Sequence, residues 1–140
     1  MRSCGSLVVL VAIVFYVGAA SGTENPESQN LIQREMVALD RALKTTIDAL
    51  VLNEPVRISP AFEEVNRIRK QVEQAIKTGT RIKLPRNQKR FKEFVRLDNK
   101  FHHELEVLLS AAKKNSMGVV QRQTHRLLDA CVRCHTIFKN

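Results

Sequence analysis

Cys131, Cys134 and His135 fall within five consecutive residues, Cys-Val-Arg-Cys-His, near the C-terminal end of a 140-residue chain. Two thiols and an imidazole at positions i, i+3 and i+4 share one face if the segment is helical. Both sulfurs and the imidazole can then meet one edge and one side of a flat macrocycle. Cys-x-x-Cys-His is the attachment pattern of c-type haem, in which the thiols add to the vinyl groups and the imidazole binds iron. Three other chemistries use similar residues. A thioredoxin-like redox pair belongs at a helix start beside a βαβ unit. Structural zinc wants four ligands, and no fourth is evident here. A plain disulfide would leave the histidine incidental. The spacing favours one covalently attached haem c, held by Cys131 and Cys134 and ligated by His135.

Attachment of this kind takes place outside the cytoplasm, so the N-terminus matters. Arg2 precedes an apolar run over 7–20, followed by Ser21 and Gly22. This is the pattern of a secretory signal peptide, with cleavage expected near Ala20 or Gly22. The apolar run is short for a bilayer span of about 20 residues. The expected organisation is therefore a leader at 1–22 and one domain at 23–140, which would act in a periplasm without stable membrane insertion. Cys4 leaves with the leader, so the mature chain keeps only the motif cysteines.

The elements that must position the motif are helices. Ile32, Met36, Leu39, Leu43, Ile47 and Leu50 recur at steps of three or four within 27–52, one apolar stripe. Residues 53–59, with Pro55, read as a loop. Ser59 is the expected N-cap of a second helix with Pro60 in its first turn. Phe62, Val65, Ile68, Val72 and Ile76 form its stripe, and Gly79 is its expected stop. A third helix is expected from near Pro85, with Phe91, Phe94, Phe101, Leu105, Leu108, Leu109 and Ala112 on one face and 113–116 as its end. The fourth starts around Ser116 and runs through Val120, Thr124, Leu127, Leu128, Cys131, Cys134, His135 and Phe138. Four amphipathic helices with short connections predict an all-α, antiparallel up-down-up-down four-helix bundle. In that topology the start of helix one, the end of helix two, the start of helix three and the end of helix four share one pole with the motif.

The segment Ala-Cys-Val-Arg-Cys-His-Thr-Ile-Phe-Lys at 130–139 resembles the C-terminal signature of the class II c-type cytochromes, the cytochrome c prime family. Phe138 and Lys139 match the aromatic and basic positions that follow the histidine in that family, although lysine stands where many members have arginine. The resemblance is sharp in this segment and extends over the mature chain only as helix pattern. It implies a four-helix bundle with one haem, and a homodimer through the outward faces of helices one and two.

The second axial side of the iron separates two function classes. Met1 leaves with the leader, and Met117 lies about 27 Å from His135 along the same helix at 1.5 Å per residue. Met36 sits early in helix one, at the pole of the motif. The resemblance agrees, since low-spin members of the family are understood to take the sixth ligand from a methionine early in helix one. With Met36 as ligand the chain is an electron carrier, because a thioether favours ferrous iron. With Met36 only lining an apolar pocket, the chain is a five-coordinate haem protein that binds nitric oxide or carbon monoxide. A third reading of Met36 is a flexible core filler.

The histidines rank below Met36 as ligands. His125 is about 15 Å from His135 along the same helix, His103 lies off the apolar face, and His102 reads as the partner of Asp98 one turn away. Gln33, Arg34 and Glu35 fall off the stripe of helix one. With no distal acid–base pair readable there, a haem enzyme such as a peroxidase is not supported, and the chain is read as not an enzyme.

Charge bears on the partner. Without the leader, 22 basic residues face 14 acidic ones, which favours an acidic redox partner. Lys77, Arg81, Lys83, Arg86, Lys89, Arg90 and Lys92 concentrate within 77–92 without one acidic residue, so this linker is the expected docking surface. Nucleic acid is a weak reading for a chain with one Tyr, no Trp and no recognisable nucleic-acid module.

Overall fold

The computed structural model describes residues 31–80 and 82–139. The expected leader at 1–22, the first turn of the expected first helix and Arg81 lie outside them. Among the described residues every regular element is helical: α1 (Leu31–Leu52), α2 (Ile58–Ala61), α3 (Glu63–Lys77), α4 (Phe91–Lys113) and α5 (Met117–Phe138), with single 3-10 turns at Pro55–Arg57 and Gln88–Arg90. α2 runs into α3 as one arm, so the architecture is an all-α, antiparallel four-helix bundle. α4 and α5 form one hairpin, α1 packs on α3 and α5, and α2 packs on α1 and α4. None of the described helices is long and apolar enough to cross a membrane.

Three helix ends share one device. Asn53, Gly79 and Asn115 follow α1, α3 and α4 with φ of 56°, 71° and 55°, the left-handed conformation that Gly and Asn tolerate best. After each, the next backbone N–H reaches back five residues: Glu54 to the Ala49 carbonyl, Thr80 to Ala75 and Ser116 to Ala111, at 2.8–2.9 Å. This Schellman closure satisfies a carbonyl that would otherwise lack a partner and turns the chain sharply.

The core is drawn from every arm, with Phe62, Ile58, Val65, Ile68, Val72, Leu105, Leu108, Val120 and Leu127 essentially sealed. Two expected boundaries move. Ser59 lies inside α2 and makes no cap hydrogen bond; the arm begins earlier, because Pro55 already has the φ a 3-10 turn requires. The third arm begins at Phe91 rather than near Pro85. Ile82 and Leu84 are buried in the connection, where the Gln88 amide donates to the Ile82 carbonyl and accepts from the Leu84 N–H. Asn87, at φ 55°, breaks any continuous helix there.

α1 is rotated from its expected orientation. Its buried positions are Ile32, Glu35, Ala38, Leu39, Ala42, Leu43, Thr46 and Ala49, whereas Ile47 is 43% exposed and Met36 and Leu50 are only partly buried. Ala38, Ala42 and Ala49 share the contact with Ile32, Leu39 and Leu43, and Met36, Ile47 and Leu50 flank it. Met36 is therefore a wall residue at the helix flank. On α5, Leu128 is also more exposed than its place in the expected stripe implied.

Candidate functional site

The last turns of α5 hold Cys131, Cys134 and His135 half-buried on the inner side of the helix, while the spacers Val132 and Arg133 face solvent. The two thiols are unbridged. Burial raises the Cys131 thiol above its ordinary value, and burial, followed by the charges of Asp98 and Cys131, pushes Cys134 up to about 11. Both are therefore held as neutral thiols. A dithiol redox centre needs the opposite, a thiolate stabilised at a helix N-terminus or by a cation, so these cysteines are poorly placed for thioredoxin-like exchange. His135 has its pKa lowered, first by burial and then by Lys139, which favours the neutral imidazole that a metal requires.

Two adjoining cavities meet at this segment. A cleft of about 490 Å³ is lined by Ile32, Met36 and Val37 of α1, Leu84 and Pro85 of the connection, Phe94 of α4, and Cys134, His135 and Phe138 of α5. A smaller pocket of about 40 Å³ lies against Met36, Leu39, Phe101, Asp98, Cys131, Cys134 and His135. Met36, Phe94, Cys134 and His135 line both. The larger is within the roughly 300–1,000 Å³ range of ligand pockets. Phe94 and Phe138 meet edge to face with centroids 5.5 Å apart and close the apolar wall.

The pole expected from topology is thus observed: the starts of α1 and α4, residues 82–90 of the connection and the end of α5 come together there. The connection is tied to α5 by the Arg86 N–H, which donates to the Phe138 carbonyl at 3.1 Å, and by the Asn87 amide, which donates to the Ile137 carbonyl. These bonds satisfy carbonyls at the helix end. Met117 begins α5, at its opposite end from His135. His103, expected off the apolar face, is exposed, and so is His125.

One feature of the site was missed from sequence. Glu35, placed off the stripe by the pattern of large apolar residues, is fully buried, and its Oε1 lies 2.9 Å from Nε2 of the equally buried His102. Asp98, the expected partner of His102, is farther away, with Oδ1 at 3.7 Å. The cross-helix contact wins because α4 presents His102 to α1. Burial, the dominant cause, pushes both carboxyls up to about 7; Glu35 raises Asp98 further, and Arg69 opposes the rise in each. The signal available in the sequence was the row Ile32, Glu35, Ala38, Ala42, Ala49, which only a stripe counting alanine reveals.

Among the described residues, Glu35, Asp98 and His102 place ligand atoms within 4.8 Å of one another, whereas the donors of Cys131, Cys134 and His135 form no such group. The motif is therefore not a preformed structural zinc centre. No family model, no curated protein and no solved structure matches the chain.

Proposed function

We propose that this chain is an exported mono-haem c-type cytochrome of the class II type that carries single electrons in a periplasm. Cys131 and Cys134 would hold the haem covalently, and His135 and Met36 would be the protein ligands of its iron. The observation that carries the reading is the common cleft: Met36, from the first described helix, lines the same two cavities as Cys134 and His135, from the last.

The donor set fits the group. Two neutral, unbridged thiols one helical turn apart are competent for thioether formation, and a neutral imidazole beside them is competent for iron. When bound, the haem supplies a one-electron couple. The protein's part is to hold His135 and Met36 on separate helices, to keep water out with Phe94 and Phe138, and to bias the couple through the thioether and the apolar wall.

Mass spectrometry of the secreted chain tests the proposal. The expected result is a mature chain, cleaved near residue 22, with the added mass of one haem that survives denaturation. Cys131→Ala or Cys134→Ala should weaken covalent retention, and His135→Ala should abolish proximal ligation. A mature wild-type chain without added mass would end this reading.

A further inference from the structure

Asp98 and His102 stand one turn apart on α4, the i, i+4 spacing by which one helix face presents two ligands to a single ion. Glu35 meets them from α1. The relevant separations, 2.9 Å from Nε2 to Glu35 Oε1 and 3.7 Å to Asp98 Oδ1, straddle the roughly 3.3 Å between donors that ligand bonds of about 2.0–2.1 Å give in a tetrahedron. Small side-chain shifts would complete the geometry.

A second observation distinguishes this cluster from an ordinary buried hydrogen bond. Glu35 is 0% exposed, and its Oε2 has no hydrogen-bond partner. An orphaned carboxylate oxygen in a sealed site is costly unless something satisfies it. Arg69 of α3 acts on both carboxyls electrostatically, yet its guanidinium bonds Glu73 at 2.8 Å. A cation seated among the three side chains would take up the orphan oxygen. An imidazole with two carboxylates suits zinc and similar first-row divalent ions, whereas magnesium prefers an all-oxygen, largely hydrated shell.

We propose that Glu35, Asp98 and His102 form a buried site for one divalent transition-metal ion, with zinc as its simplest occupant, bridging α1 and α4. None of the three ligands belongs to the Cys-x-x-Cys-His motif. Asp98, the least buried of the three with its side chain 16% exposed, is the one that also lines the small pocket shared by Met36, Cys134 and His135.

The test is zinc titration of the full secreted chain by calorimetry, with X-ray absorption at the zinc edge on the loaded protein. One zinc per chain is expected, with only nitrogen and oxygen neighbours near 2.0–2.1 Å. Asp98→Asn and His102→Gln should each weaken binding at least tenfold, while His103→Gln, on the solvent side of α4, should leave it unchanged. Magnesium should not compete. A sulfur neighbour near 2.3 Å would place the ion on Cys131 and Cys134 and overturn the proposal, as would failure of the wild-type chain to bind. The absorption spectrum of the wild type decides the matter even if a variant does not fold.

Discussion

At the scale of single residues, Met36 is the side chain that would separate electron transfer from gas binding under the proposed function. Its place on the flank of α1, rather than in the row that packs the core, leaves its thioether at the cleft. Under the proposed ligation, Met36→Ala should produce a high-spin iron that takes up carbon monoxide rapidly and has a lower potential. Met117→Ala should change neither property. A wild-type protein that already binds carbon monoxide rapidly and shows a five-coordinate spectrum would replace electron transfer with the gas-binding reading. Glu35 and Asp98 make a separate prediction about stability. Their folded pKa values of about 7 stand above the ordinary 4.5 and 3.8, so the folded chain holds protons that the unfolded chain releases. The resulting stabilisation is full below about pH 4 and is lost as pH rises through 7. In the presence of a chelator, the thermal midpoint should fall between pH 5 and 8, and Asp98→Asn should flatten that fall. Stability that rises to pH 8 under these conditions would show the carboxyls to be ionised and compensated.

At the scale of elements, the helices are held in place as much by their ends as by their stripes. Gly79 lies at φ 71°, and a Cβ built there would meet nothing within 4 Å. The cost of Gly79→Ala is therefore one of backbone conformation alone, about 1–2 kcal/mol. Thermal unfolding followed by circular dichroism should show a midpoint lower by several degrees, with Gly79→Asn recovering at least half of the loss. Equal midpoints for Gly79 and Ala would mean that the turn relaxes out of its left-handed conformation. The Asn87 amide works between elements: by reaching the Ile137 carbonyl it joins the connection before α4 to the last turn of α5. That bond helps to fix the wall of the cleft formed by Leu84 and Pro85.

At the scale of the molecule, the same connection puts positive charge at the cleft. Arg86 and Lys89 are exposed, while Arg90 is engaged by Glu93 at 2.7 and 2.9 Å. If the chain passes electrons to or from an acidic protein, this pole should steer the encounter. Reversing the charges of Lys83, Arg86 and Lys89 together should slow electron exchange with an acidic partner and flatten its dependence on ionic strength, since screening acts over about 8–10 Å at ordinary salt. Stopped-flow kinetics across a salt series would check this. An unchanged rate and slope with an intact haem spectrum would show that these charges only solvate the connection.

The sequence alone determined the bundle, because a stripe every three or four residues commits a segment to bury one helical face, and short connections make successive helices neighbours. It also determined the i, i+3, i+4 grouping of Cys131, Cys134 and His135 and the pole at which Met36 would meet them. The rotation of α1 about its axis was left to the tertiary structure. Ala38, Ala42 and Ala49 contribute little hydrophobic signal, but they share the contact with Ile32, Leu39 and Leu43, and Ile47 lies outside it. The same rotation buries Glu35 against His102, a pairing of residues 67 positions apart that no local periodicity encodes. The start of α4 was likewise decided by long-range contacts, since Ile82 and Leu84 gain burial against the assembled bundle only if the chain stays non-helical until Gln88.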